Sequence, residues 1–307
     1  MRDAFIESLS KIANNDKNIF LITGDLGYGV LDDFAEKFPS QFLNVGVAEQ
    51  NMTGIAVGMA LNGYKVFTYS IANFTTLRCL EQIRNDACYH NANVNIVSIG
   101  GGFGYGGLGM SHHATEDLSI IRALPNIELI APGDDYETIE ATKYVASSNK
   151  PSYLRLERSS HIHELNLDTD FEYGKIRKIN DGKDIAILCS GGVTKVAMNA
   201  ANTLKKQKIS LGVYSVHSLK SIDLKSISEI FEKYSGVITI EENNLMGGLG
   251  SAISEICVDN KIYPKSFKRM GLKDIYSSVV GSQEFLRDFY NLGEEDLINN
   301  VLKMLDS

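Results

Sequence analysis

At 307 residues, with 44% hydrophobic and 22% charged residues, the chain has material for two separate cores, and it is neither low-complexity nor collagen-like. Thirty basic residues against 38 acidic ones leave a formal net charge of −8, which argues against nucleic acid or an anionic membrane surface as the main partner. Five prolines against 27 glycines put the turns and close backbone approaches on glycine. Cys79, Cys88, Cys189 and Cys257 form no CxxC and stand at no zinc-finger spacing from a histidine, so they read as scattered reduced thiols of a cytoplasmic protein. The opening MRDAFIESLSKIANNDK has no apolar core of a signal peptide, and no run of about 18 apolar residues is present to span a membrane.

Short apolar runs predict strands over 19–23, 42–45, 65–69, 94–99, 127–131 and 152–156. Helical patterns over 49–61, 75–89, 117–124 and 136–147 lie among them. Strands followed by crossover helices predict an α/β fold with a doubly wound, mostly parallel sheet. Residues 159–183 break the rhythm; they are polar and irregular, with room for one short strand. The alternation then resumes over 185–190, 210–214, 236–240 and 266–270. The expected organisation is a first domain over 1–160, a linker over 161–183 and a second doubly wound domain over 184–307.

Three segments carry chemistry. In VGVAEQNMTGIAVGMALNG, residues 45–63, a strand end meets a helix that opens with Glu49. A carboxylate is favoured there by the helix dipole alone. The helix has no clear polar face, however, and Gly54 and Gly58 invite close packing, so burial nearly all round is expected, with Glu49 partly desolvated at its mouth. In GGGFGYGGLGMSHHATED, residues 100–117, a formal GxGxxG starts at Gly102. A dinucleotide site needs the last glycine to open a helix at once, whereas the helical pattern resumes only at Asp117. A glycine loop over a ligand fits better, with His112 and His113 at its far end, at the carboxyl edge of the sheet where such folds bind ligands. In EENNLMGGLGSAISEI, residues 241–256, a glycine turn leads into a helix; it offers either an anion cradle or close helix–sheet packing. No GxSxG, P-loop or HExxH motif is present.

GDLGYG (24–29), VGVAEQN (45–51), LEQIRNDACYHNANVNIVSI (80–99), SHHATEDLSIIRALPNIELIAPGDDYE (111–137) and EENNLMGGLGSA (241–252) resemble the C-terminal half of transketolases. The likeness extends over nearly the whole chain; 1-deoxyxylulose 5-phosphate synthases and the β subunits of 2-oxoacid dehydrogenases share the layout. It implies a pyrimidine-binding domain followed by a transketolase C-terminal domain, with thiamine diphosphate as cofactor. The GDG motif and downstream asparagine with which such enzymes hold the diphosphate and its metal do not occur in the 307 residues. The resemblance therefore implies a split enzyme. A separate subunit would supply the GDG motif and the Mg2+ or Ca2+ ion, in an α2β2 heterotetramer in which this chain also self-associates.

Position by position, Glu49 matches the glutamate at N1′ of the aminopyrimidine, where a carboxyl favours the tautomer that deprotonates the thiazolium. Phe74 matches the aromatic stacked on that ring, Asp25 an aspartate near the cofactor, and Ile71 an aromatic of the cofactor wall. His112 matches the histidine at the reacting end of the donor. Arg2 and Arg158 match arginines that hold a sugar phosphate, and His113 is placed with them on the substrate side. The family's phosphate-binding serine is Gly29, its strand-end histidine is Gly100 and its hydroxyl-reading loop aspartate is Leu108. These departures predict an unusual substrate. The expected reaction moves a C2 ketol or acyl unit from a ketose or keto donor to an aldehyde or ketone. Pyruvate-type decarboxylating acyl transfer, a non-catalytic regulatory subunit and a dinucleotide-dependent oxidoreductase stand as alternatives.

Overall fold

The computed structural model describes residues 1–158 and 170–306. The expected linker residues 161–169 lie outside them. The first sheet comprises β1 (Ile19–Thr23), β2 (Phe42–Asn44), β3 (Lys65–Ile71), β4 (Val94–Ile99), β5 (Glu128–Ile130) and β6 (Ser152–Leu156). Its order is β2-β1-β3-β4-β6-β5 and every pairing is parallel. The central strands are buried without alternation, their few polar residues included, because helices cover both faces, which is how a parallel sheet is buried. The second sheet comprises β7 (Arg177–Asn180), β8 (Ile185–Ser190), β9 (Leu211–Ser215), β10 (Gly236–Asn244) and β11 (Phe267–Leu272), in the order β11-β10-β8-β9-β7. Only β7 runs antiparallel, and it falls in the stretch read as a linker with one short strand.

The helical reading changes in two places, one of them the opening residues, to which the sequence analysis assigns no element. The opening residues form a helix, Arg2–Asn15, whose Phe5, Leu9 and Ala13 are buried. The pattern over 75–89 is broken into helices Ala72–Thr76 and Leu80–Gln82 and a π-helical segment Ile83–Cys88. Such widened turns are rare and frequently mark functional sites.

The two sheets are locked together by main chain and by buried charge. Ala131 N donates to the His217 carbonyl and Leu219 N to that of Leu129. Arg177 pairs with Asp134 and Glu137, and Ser215 Oγ also donates to Glu137. Arg155 of β6 donates to Asp117 and to the carbonyls of Ala114 and Glu242. Glu242 in turn accepts from Phe103 N, Gln283 and Arg287. The glycine loop after β4 is thus clamped between the domains. Gly102 has φ +60°, and a Cβ there would come 2.6 Å from Glu242 Cγ. Gly102→Ala should therefore cost at least about 2 kcal/mol through overpacking and positive φ, read as a lower denaturation midpoint; an unchanged midpoint would mean that the clamp is loose.

His217 is buried in the same seam, with its ring stacked on Phe171 at 4.4 Å and Nδ1 sharing a hydrogen bond with Ser218 Oγ. Burial, and then the nearby Arg177 charge, push its pKa down to about 3, with Asp134 acting weakly in the opposite sense. The unfolded chain takes up this proton near pH 6.5 and the folded chain does not. Stability from His217 is therefore full above about pH 6.5 and falls toward pH 3, by about 1.4 kcal/mol per pH unit inside that window. His217→Gln should flatten the loss of stability between pH 6.5 and 5, measured by urea denaturation at several pH values; parallel profiles for the two proteins would refute the assignment.

Candidate active site

The loops that leave the carboxyl ends of β1 to β4 converge on one edge of the first sheet. Asn44 ties the first two together: its side-chain carbonyl accepts from Asp25 N (2.9 Å) and Gly46 N (3.0 Å), and its amide donates to Asp25 Oδ1 (3.2 Å). Asp25 sits at φ 59°. Its carboxyl accepts from the Tyr28 hydroxyl at 2.7 Å, and that bond, followed by the one from Asn44, holds it below the usual carboxylate range. The neighbouring Gly24 lies against the start of the Glu49 helix, where an added Cβ would meet the Gly46 carbonyl oxygen at 3.3 Å and Glu49 Cγ in ordinary contact at 3.6 Å.

Glu49 begins the helix Glu49–Leu61 and is 5% exposed. Arg78 Nη1 donates to its Oε1 at 3.0 Å. Its Oε2 has no hydrogen bond among the described residues. The Arg78 guanidinium also lies over the Phe74 ring, 4.0 Å from the centroid, and Phe74 meets the His112 ring edge-on at 5.1 Å. Asn73 Nδ2 donates to the Ser111 carbonyl (2.5 Å), fixing the glycine loop against the segment that carries Phe74. Ser111 Oγ shares a hydrogen bond with His112 Nδ1 at 3.0 Å. Glu49, Phe74 and His112 are therefore brought into one cluster, and Ile71 is buried at the end of the strand that leads to it. A carboxylate oxygen with no hydrogen bond among the described residues, on a buried glutamate beside an aromatic ring, suits a flat heterocycle with a ring nitrogen. These residues fit an aminopyrimidine.

The remaining residues fall elsewhere. Arg158 stacks on the Tyr105 ring at 4.7 Å from its centroid, and Tyr105 lies 6.5 Å from His112 ring to ring. Arg2 donates to Asp3 and lies within electrostatic reach of Tyr105. His113 is not brought to the cluster. It is buried against Phe103 with Nε2 on the Gly106 carbonyl, and burial lowers its pKa. It fastens the loop from inside. The glycine turn at 245–248 does not leave a helix N-terminus open to a foreign anion, because the chain's own Glu241 accepts from Leu249 N and Gly250 N there. Burial pushes that carboxyl up to about 7.

The helix that starts at Glu49 is covered on one side only. Met52, Thr53, Ala56 and Val57 are buried, whereas Gly54, Gly58 and Leu61 face outward, and a Cβ at either glycine would meet nothing within 4 Å. All-round burial was expected because the helix is apolar on every side; in the single chain its second apolar side is bare. Val47 (73% exposed) and Leu77 (48%) continue that surface beside the site. Sequence reasoning missed Arg78 and Tyr105. The signal for Arg78 was its position four residues after Phe74, the spacing at which helical side chains meet.

Among the described residues no helix is long and apolar enough to cross a membrane. Residues 1–162 match the pyrimidine-binding domain of transketolase and residues 174–297 the transketolase C-terminal domain. The chain is 32% identical to one of the subunits of an apulose-4-phosphate transketolase from Phocaeicola vulgatus, covering 99% of this chain and 97% of that protein. It is 29% identical to a 6-deoxy-6-sulfo-D-fructose transketolase subunit from a Clostridium species, covering 97% and 92%. A solved structure described as a split gene transketolase, inactive beta4 tetramer, superposes with a TM-score of 0.89 at 33% identity, covering 99% and 98% of the two chains. With both domain families in sequence along it and relatives of this similarity over its whole length, the chain belongs to the transketolase family.

Proposed function

We propose that this chain is the pyrimidine-binding subunit of a two-chain, thiamine diphosphate-dependent transketolase that moves a C2 ketol unit from a ketose donor to an aldehyde or ketone. The observation that carries this reading is the cluster in which buried Glu49 meets the half-exposed Arg78, Phe74 and His112. When bound, the cofactor supplies the carbon nucleophile and the electron sink that the protein itself lacks. Phe74 would give the aminopyrimidine a face to stack on, and Ile71 and Asp25 would border it. The free oxygen of Glu49 would hold a proton against the ring nitrogen, with Arg78 fixing the other oxygen. His112 would hydrogen-bond the donor at its reacting end. The diphosphate and its Mg2+ or Ca2+ ion are assigned to a separate subunit with a GDG motif, seated against the bare side of the Glu49 helix in an α2β2 assembly. Four buried free thiols suit a reducing compartment, so we place the enzyme in the cytoplasm.

The two named relatives both carry an anionic group in their substrate names, a phosphate or a sulfonate. A ketose bearing such a group is accordingly the proposed donor class.

The isolated chain should show no turnover with thiamine diphosphate, Mg2+ and a ketose panel; adding the GDG-bearing subunit should restore it. Glu49→Gln keeps the shape and removes the ionisable carboxyl. It should slow deuterium exchange at C2 of the bound cofactor by about 10²–10⁴-fold, with unchanged circular dichroism and assembly. Exchange at the original rate in an intact complex would remove Glu49 from the proposed role.

A further inference from the structure

Gly100 closes β4, donating its N–H to the Leu156 carbonyl, and turns the chain at φ +75°. The loop then folds back so tightly that a Cβ on Gly104 would come 2.6 Å from Gly100 Cα. This return lays the Tyr105 ring on Gly100. A Cβ on Gly100 would fall inside van der Waals contact of Tyr105 Cδ2 and Cε2, so a side chain at 100 and the ring of 105 exclude one another. The ring occupies the space that Gly100 leaves empty. It is held there from two directions, by the Arg158 guanidinium 4.7 Å above its centroid and by the His112 ring at 6.5 Å.

The Tyr105 hydroxyl makes no hydrogen bond among the described residues, and Arg158 makes no ion pair among them. Burial raises the phenol's pKa while the charges of Arg158 and Arg2 oppose that rise. The group is thus a neutral O–H donor, beside the Arg158 guanidinium and within electrostatic reach of Arg2, one ring away from the proposed reacting centre. Phosphate and sulfonate oxygens accept from both kinds of donor.

We propose that Tyr105 is a specificity-determining residue: its hydroxyl, with Arg158 and Arg2, receives the anionic end of the donor from the space that Gly100 vacates. This rests on the proposed transketolase reading and names the group that reads the far end of its substrate. It also revises the expectation from Gly29, Gly100 and Leu108 alone, since a donor lost at 100 is supplied from 105.

Tyr105→Phe in the assembled two-chain enzyme keeps the ring on Gly100 and under Arg158 and deletes only the hydroxyl. For phosphate- and sulfonate-bearing ketoses, kcat/KM should drop roughly 10- to 100-fold, the loss lying in KM. For an uncharged ketose it should change less than about twofold. Calorimetric titration with inorganic phosphate should show the same weakening without any turnover, so this arm reads Tyr105 even if the donors prove to be 2-oxoacids. Unchanged kinetics and phosphate affinity, equal losses on charged and uncharged donors, or no phosphate binding by the parent complex would each overturn the proposal. Turnover of pyruvate but of no ketose would overturn the transketolase reading instead.

Discussion

The position of the glycine loop at the site depends on Arg155. This guanidinium is fully buried on β6, yet it reaches the first turn of the helix Asp117–Ala123, the strand-like return of the glycine loop at Ala114 and the second domain at Glu242. Burying such an ion is costly, and a well-made pair roughly breaks even against an apolar replacement. Its worth lies in the asymmetry: deleting one partner strands the others as buried charges, at about 3–5 kcal/mol. The loop can therefore occupy one place or pay heavily to leave it. Gly101 shows how close the fit is, because a Cβ there would come 2.5 Å from Arg155 Cζ.

That constraint passes outward along the loop. With Gly101 and Gly102 held against Arg155 and Glu242, Phe103 is buried, and its ring stacks on Tyr290 and meets His113. His113 then closes the loop onto Gly106 from below. What remains on the outer side is Tyr105, over Gly100, and His112, against Phe74. One buried network thus sorts neighbouring residues into inner fasteners and outer contact groups. The two adjacent histidines end with opposite fates for this reason: one turns inward to a carbonyl and the other stays at the cleft.

The α/β architecture was legible because a parallel sheet buried on both faces leaves unbroken apolar runs, and these runs coincide with most of the strands. Glu49 and His112 could be singled out because each lies in a linear segment with its own chemistry, at a helix mouth and at the end of a glycine loop, whereas Phe74 was implied by the family resemblance. Arg78 and Tyr105 could not be singled out, since their significance is a contact across the fold: one cation shared between a carboxylate and a ring, and one ring seated on a distant glycine. The helix at Glu49 misled in an instructive way. Its composition predicts apolar cover on both sides, and the single chain supplies that cover on one side only. The 75–89 pattern misled for a different reason, because periodicity does not distinguish a continuous α-helix from short turns and a π-segment that reorient Phe74 and Arg78.

On the proposed reading, the bare side of that helix and the pairing of Glu49 with Arg78 answer one problem. A catalytic carboxyl must be buried to be effective, yet a subunit that has not assembled cannot bury it with the partner's surface. Arg78 meets the need locally. It neutralises the charge on Oε1 and shields the face of Phe74, while its own side chain remains 49% exposed and so stays near solvent. A lysine would not serve equally, since a point charge can pair with the carboxylate but lacks a plane to lie flat on the ring. Gly54 and Gly58 complete the arrangement by presenting backbone rather than side chains, so that an approaching surface can come close without displacing anything. The site is thus stable enough in one chain to keep its geometry, and open enough to be finished by another.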